Sequence, residues 1–178
     1  MITFLHPHFS HLQADTPDAQ IVRFEMFSDG WPRIFLDHRE SLSGASITYI
    51  GDFRKVADFF GQIAFLDGLA RYHIDTLHIV IPFFPAASME RDTPSGEFSM
   101  AGVFARSFAL IGERHPGRVH IHLYDIHDER EVFYFPASLQ IHHHTTMDIL
   151  KGEILSTSEK PTILFPDSGA KKAFSRFF

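Results

Sequence analysis

The sequence contains no cysteine, which excludes disulfides and thiolate chemistry and suits a reducing compartment. Nor does it hold a run near the roughly 18 uninterrupted apolar residues that a membrane-spanning helix requires. Its first residues, MITFLHPHFS, lack the basic and apolar regions of an export signal. The expectation is a soluble, cytoplasmic protein with no membrane partner. Positive charge is also in short supply: 16 Lys and Arg against 22 Asp and Glu leave a formal net charge of −6. A phosphate backbone usually needs a basic face, so no nucleic-acid partner is expected. Internal repeats and low-complexity tracts are absent by inspection.

Apolar residues, by contrast, make up 44% of the 178, with twenty Phe among them. That is enough for one well-buried domain and part of a second. Thirteen His residues make the effective charge depend on pH near neutrality.

Patterning places the elements. Residues 1–20 read as polar and broken by Pro7 and Pro17, so the first strand expected is Ile21-Val22-Arg23-Phe24. With a turn at Ser28-Asp29-Gly30 and a second run at Arg33–Leu36 it forms a hairpin. Ile47–Ile50 is a strand ended by Gly51-Asp52. From Arg54 to Tyr72 the residues Val56, Phe59, Phe60, Ile63, Leu66 and Leu69 recur at helical spacing. Leu77-His78-Ile79-Val80-Ile81, closed by Pro82, reads as a buried parallel strand. Strand, helix and strand from Ile47 to Ile81 make a βαβ unit with an expected right-handed crossover.

A second helix is expected over Met100–Ile111, with Gly112 marking its end. Val119–Tyr124 alternates, as a strand with one wetter face or at an edge does. Leu139–Ile149 is ambiguous, with Thr145 or Thr146 a candidate N-cap for a helix through Leu150. Thr162–Phe165 reads as a last buried strand, leading through Pro166-Asp167-Ser168-Gly169 to a basic helix start. The fold class is thus α/β: an open, mostly parallel sheet with flanking helices and an N-terminal β-hairpin.

In such sheets ligands bind at the carboxyl ends of the strands. Three polar loops were expected to meet there: Ser88 to Asp92, Asp125 with His127, and Asp167 to Lys172. Carboxylates, an imidazole and lysines beside small residues suit a magnesium-bound polyphosphate, because Mg²⁺ takes one or two protein ligands and leaves the rest to water and phosphate oxygens. Each residue also has a plainer reading. Asp125 serves equally as a turn residue, His127 as a surface histidine, and Asp167 as a helix N-cap.

The wording and order of these loops resemble the ribose-phosphate pyrophosphokinase family. Phe27-Ser28-Asp29-Gly30 is similar to its F-x-D-G-E hairpin, and Leu42–Ile50 to its V-R-G-K-D-V-x-I-V strand. Ile81–Ala87 with Met89-Glu90-Arg91 is similar to P-Y-x-P-Y-A-R-[QM]-D-R, and Gly96–Ala105 to G-E-x-x-x-x-K-V-F-A. Asp125-Ile126-His127 resembles D-L-H, and Pro166–Lys172 resembles P-D-x-G-A-x-K-R.

The resemblance implies a phosphoribosyltransferase-like fold and transfer of a pyrophosphoryl group from Mg²⁺-bound ATP to ribose 5-phosphate. It implies adenine contacts at Asp29, Gly30 and Trp31, and ATP contacts at Ser88, Met89, Glu90 and Arg91. It places the metal and ATP phosphates at His127 and Asp167. It also implies a homo-oligomer, since the hairpin completes a neighbouring subunit's site. Trp31 stands where the family has Glu, Ser88 where it has Arg, Glu90 where it has Asp and Gly102 where it has Lys. The family's second domain supplies a catalytic Lys and Arg and an acidic, Gly- and Thr-rich ribose-phosphate loop, and neither motif is found here. The expected division is therefore an N-terminal domain over 1–145 and the incomplete start of a second over 146–178, inactive alone. The alternative is a non-catalytic regulatory or assembly subunit of the same fold. A third reading is a metal-binding domain built on the histidines, though His142-His143-His144 is expected in an exposed loop because sequence neighbours point apart. Phe59, Phe60, Phe104 and Phe108 are expected in the core.

Overall fold

The computed structural model describes residues 1–178 apart from His38, Ser88, Glu90, Arg91, Thr93, Pro94, Gly117, His127, residues 158–161 and Phe178, and, of Ala173, only the backbone. The chain divides into two compact units, Met1–His143 and His144–Phe178.

The first unit is built on a six-stranded sheet. Its strands are β1 (Ile2–Leu5), β2 (Gln20–Ile21), β5 (Ser46–Ile50), β6 (Thr76–Ile81), β7 (Val119–Tyr124) and β8 (Gln140–His144), the last ending at the unit boundary. They lie in the order β2-β1-β5-β6-β7-β8. Pairing is parallel from β2 through β7, with Phe4 opposite both Gln20 and Tyr49, Ile47 opposite Leu77 and Leu77 opposite Val119. The remaining strands, β3 (Arg23–Met26) and β4 (Pro32–Phe35), form a separate antiparallel hairpin. The expected open, mostly parallel sheet and its hairpin are both present.

Period-2 patterning fixes which side of the sheet is the core. Ile47 and Tyr49, Leu77, Ile79 and Ile81, and Val119, Ile121 and Leu123 alternate with half-buried residues and are fully buried. They join one apolar cluster with Ile63, Leu66 and Leu69 of the first helical segment and Phe104, Phe108 and Ile111 of the second. The first segment is α1 (Val56–Gly68) followed by a 3-10 turn over Leu69–Tyr72. Within it, Gln62 is buried and joins strand to helix: it accepts the Tyr49 hydroxyl at 2.8 Å and donates to the Asp52 carbonyl at 2.7 Å.

Several expectations are corrected. The N-terminus is not irregular: β1 is an interior strand with Phe4 and Leu5 buried, because four apolar-rich residues suffice once two neighbours supply hydrogen bonds. The run from Ile21 splits, since Val22 donates to the Leu5 carbonyl and β3 turns away to pair with β4. The single helix expected over Met100–Ile111 is two, α2 (Met100–Arg106) and α3 (Ala109–Arg114). The break falls at Ser107, whose hydroxyl bonds back to the Val103 carbonyl and competes with the ladder. Gly112 lies inside α3, where a Cβ would stand 2.5 Å from the Ser138 hydroxyl, so it serves close packing and not termination. β7 is flanked by β6 and β8 and is no edge. The His142–His144 triplet sits in strand β8, not a loop. Phe60 and Val56 are exposed although they share the α1 pattern, whereas Phe104 and Phe108 are buried and Phe59 packs partly on the core.

The second unit contains α4 (Met147–Thr157) and α5 (Ser168–Phe174). Thr145 accepts the Met147 N–H at the start of α4. No strand forms at Thr162–Phe165; Leu164 is 91% exposed. Its apolar composition is not enough, because no strand among the described residues pairs with it.

Candidate functional site

Parallel register brings the loops after β1, β5, β6 and β7 to one edge. The chain leaves β1 toward β2 on one side and β5 toward β6 on the other, so a topological switch point, the usual place of a ligand crevice, falls between β1 and β5. Buried aromatics hold three of the segments at this edge. Phe53 after β5 and Phe84 after β6 pack on Phe104 of α2 at 5.8 and 5.1 Å between centroids. Phe135, which follows a 3-10 turn over Glu129–Tyr134, packs on Phe84 at 6.2 Å and Phe108 at 5.9 Å. Each such pair adds about 0.5–1.5 kcal/mol to its area burial.

Above this layer the switch point is polar. Asp52 is buried and takes hydrogen bonds from the Arg54 Nε at 2.7 Å and NH2 at 3.0 Å. The Arg54 guanidinium also meets His8 Nε2 at 2.7 Å. These bonds hold the Asp52 carboxyl down to about 2, against the opposing effect of burial. His6 is buried, its Nδ1 accepts the His8 N–H, and loss of hydration lowers its pKa. Two residues beside this edge adopt left-handed backbone without being glycine: Ala86 after β6 (φ +56°) and Asp125 after β7 (φ +45°). Such residues cost of order 1 kcal/mol or more and concentrate at functional loops. Sequence patterning missed His6, His8, Asp52 and Arg54 as a group. The signal present was the polar run after each strand end; what joins them is the pairing of β1 with β5.

Among the expected site residues, Asp29, Gly30 and Trp31 lie together in the hairpin loop. Gly30 (φ +87°) closes a turn by donating to the Phe27 carbonyl, and Asp29 accepts the Trp31 N–H at 3.3 Å. Trp31 packs edge-on against Phe60 of α1 at 5.3 Å, and Arg33 lies over Phe27 at 5.8 Å. Met26, Phe27, Trp31 and Phe60 all remain exposed. Met89, in the loop after β6, donates its N–H to the Ala86 carbonyl. Asp92, from the same loop, accepts the Ser99 N–H at 2.6 Å, and Ser99 caps α2. Gly102, in the family's Lys position, is buried, and the Arg106 guanidinium lies 3.0 Å from where a Cβ would stand. Asp167 is the N-cap of α5, accepting the Ala170 N–H at 2.7 Å, and belongs to the second unit; it ends no strand of the sheet. Ser88, Glu90, Arg91 and His127 lie outside the described residues.

No three His, Asp or Glu among the described residues cluster as metal ligands. Asp167 commits one oxygen to its cap.

The architecture is an α/β domain with an open, mostly parallel sheet, and its fold is that of a phosphoribosylpyrophosphate synthetase domain. The crystal structure of phosphoribosylpyrophosphate synthetase from Mycobacterium smegmatis superposes with a TM-score of 0.74 at 20% identity, covering 99% of this chain and 60% of that one. In sequence the chain is similar to several ribose-phosphate pyrophosphokinases. It is 30% identical over 165 residues to ribose-phosphate pyrophosphokinase 4 of Oryza sativa subsp. japonica, covering 92% of this chain and 51% of the relative. It is also 30% identical over 166 residues to ribose-phosphate pyrophosphokinase 4 of Arabidopsis thaliana, covering 92% and 49%. A chloroplastic ribose-phosphate pyrophosphokinase 3 of Arabidopsis thaliana is 26% identical over 166 residues, covering 92% and 40%. The chain thus spans about half the length, or less, of these curated relatives. No protein-family model matches it. No helix of the described residues is long and apolar enough to cross a membrane.

Proposed function

We propose that this chain is a diverged N-terminal part of a ribose-phosphate pyrophosphokinase, carrying the ATP half of the site and inactive alone. The observation that carries this reading is the homology to enzymes of that name over 92% of the chain. Residues 1–145 would form the N-terminal phosphoribosyltransferase-like domain and 146–178 the start of the next. In the reaction, the anomeric hydroxyl of ribose 5-phosphate attacks the β-phosphorus of ATP and AMP leaves. Positioning and charge neutralisation supply most of the rate, with little covalent work for the protein.

In this reading Asp29, Gly30 and Trp31 offer the adenine a surface on a neighbouring subunit. The exposed Met26, Phe27 and Trp31 at that hairpin are the support for a homo-oligomer. Ser88, Met89, Glu90 and Arg91 lie along the phosphates, with Arg91 and Arg106 restoring charge where Ser88 and Gly102 replace cations. His127 and Asp167 hold magnesium, which when bound neutralises phosphate charge. We assign the protein to the cytoplasm on its cysteine-free composition; forms named chloroplastic and mitochondrial occur among its relatives.

Calorimetric titration with Mg–ATP and with ADP tests the half-site. Binding should be lost in His127→Ala and weakened in Asp167→Asn, which keeps the cap. No heat at millimolar nucleotide would sink the half-site. That outcome favours the second reading, a non-catalytic regulatory or assembly subunit, to which Trp31, Ser88 and Gly102 already point.

A further inference from the structure

Four histidines that the nucleotide reading does not use come together on the sheet face opposite the core. His78 stands on β6, His120 and His122 on β7 and His142 on β8; all are half-buried, and all belong to the first unit. Register places His78 directly opposite His120. The rings are nearly parallel. His78 stacks on His120 at 4.7 Å, His120 on His142 at 5.2 Å and His122 on His142 at 4.8 Å, while His78 and His122 lie 5.3 Å apart. Their nitrogens meet in pairs, His78 Nδ1 with His122 Nε2 at 3.1 Å and His120 Nδ1 with His142 Nε2 at 2.9 Å. No three of these residues are arranged as ligands of a single ion.

We propose that this array is a proton-sensitive latch: neutral, it holds the last strand β8 on β7, and protonated, it releases it. A bond between two imidazoles needs one N–H and one bare nitrogen, and an imidazolium has two N–H groups and no acceptor. Each pair therefore tolerates one proton. A second proton on either pair abolishes its bond and places like charges within about 5 Å through a half-buried face.

By strand alternation the same face carries Ser46 and Thr48 from β5, Thr76 and Val80 from β6 and Tyr124 from β7, so among the described residues of the first unit Tyr124 is the other titratable group on this face of these strands. Burial first, and neighbouring imidazoles second, lower the pKa values of His78 and His120, with no carboxylate or lysine contributing. The released strand therefore binds more protons than the docked one as pH falls below the ordinary imidazole value of 6.5. Docking is complete above that value and is lost as pH falls through the lowered ones. The latch acts on the strand that runs straight into the second unit at His144. It does not depend on nucleotide binding.

Amide hydrogen exchange on the whole chain at pH 7.5 and 5.5, corrected for intrinsic exchange, tests it with β6 as internal reference. Protection of residues 141–144 should fall severalfold relative to β6, in the direction set by the lowered pKa values of His78 and His120. The double variant His120→Gln, His142→Gln should lose this pH dependence while β6 stays protected. If that variant does not fold, NMR titration of the wild-type imidazoles decides: a coupled, depressed titration supports the latch. Four independent titrations at ordinary values, or unchanged β8 protection in the wild type, would overturn it. So would a stoichiometric zinc ion in the purified protein that the double variant no longer retains.

Discussion

Asp52 and Gln62 show how much of the carboxyl edge rests on single side chains. The Asp52 carboxyl titrates near 2 in the folded chain against 3.8 when free, so its stabilisation is complete above about pH 4 and is lost as pH falls toward 2. The shift corresponds to at most about 2.5 kcal/mol, and the exposed Arg54 partner reduces it to about 1–2 kcal/mol. Asp52→Asn should therefore lower stability in urea by that amount at pH 7 and by almost nothing at pH 2; equal losses at both would remove the Arg54 pair as the cause. Gln62→Leu strands the buried Tyr49 hydroxyl and the Asp52 carbonyl together. A loss of about 2–3 kcal/mol is expected, read as a melting temperature lower by roughly 4–10 °C. An unchanged melting curve would mean that water replaces both bonds.

Among the elements, the aromatic layer beneath the loops is the one whose loss would spread. Phe104→Ala should cost about 3–5 kcal/mol and raise amide exchange in the loops after β5 and β6, because Phe53 and Phe84 both rest on that ring. Confinement of the effect to α2 would argue against the layer as their anchor. These elements also show what a sequence makes legible. The hairpin, β5, α1, β6 and β7 stand out because their apolar periods match one buried face, and the Phe27–Gly30 turn states its own geometry. β1 was hidden by its brevity and by Pro7. The run at Thr162–Phe165 has strand composition without a partner, and composition alone does not pair. The break at Ser107 turns on one hydroxyl that periodicity does not register. Asp29, Gly30, Trp31 and Asp167 were legible as turn and cap residues, since such roles are local. The His6–His8–Asp52–Arg54 group and the imidazole array were not, because both depend on which strands become neighbours.

For the molecule as a whole, burial lowers the pKa of His6, His78, His115 and His120 alike. Each contributes stability that is fully present above about pH 6.5 and declines as pH falls through its lowered value. Differential scanning calorimetry should give a lower melting temperature at pH 5.5 than at 7.5, with the difference reduced in His120→Gln; a flat profile would mean the buried imidazoles gain compensating partners on protonation. The position of β1 sets one more property of the whole chain. Ile2 to Leu5 are made well before Ile47 to Ile50, the residues they sit opposite inside the sheet. That strand must wait for a partner encoded far downstream, and each nascent chain carries an unmatched apolar segment until β5 emerges. Synthesis that pauses before Ile50 thus leaves a sticky segment exposed, and translation speed between β1 and β5, not the final stability of the sheet, becomes the quantity that governs yield.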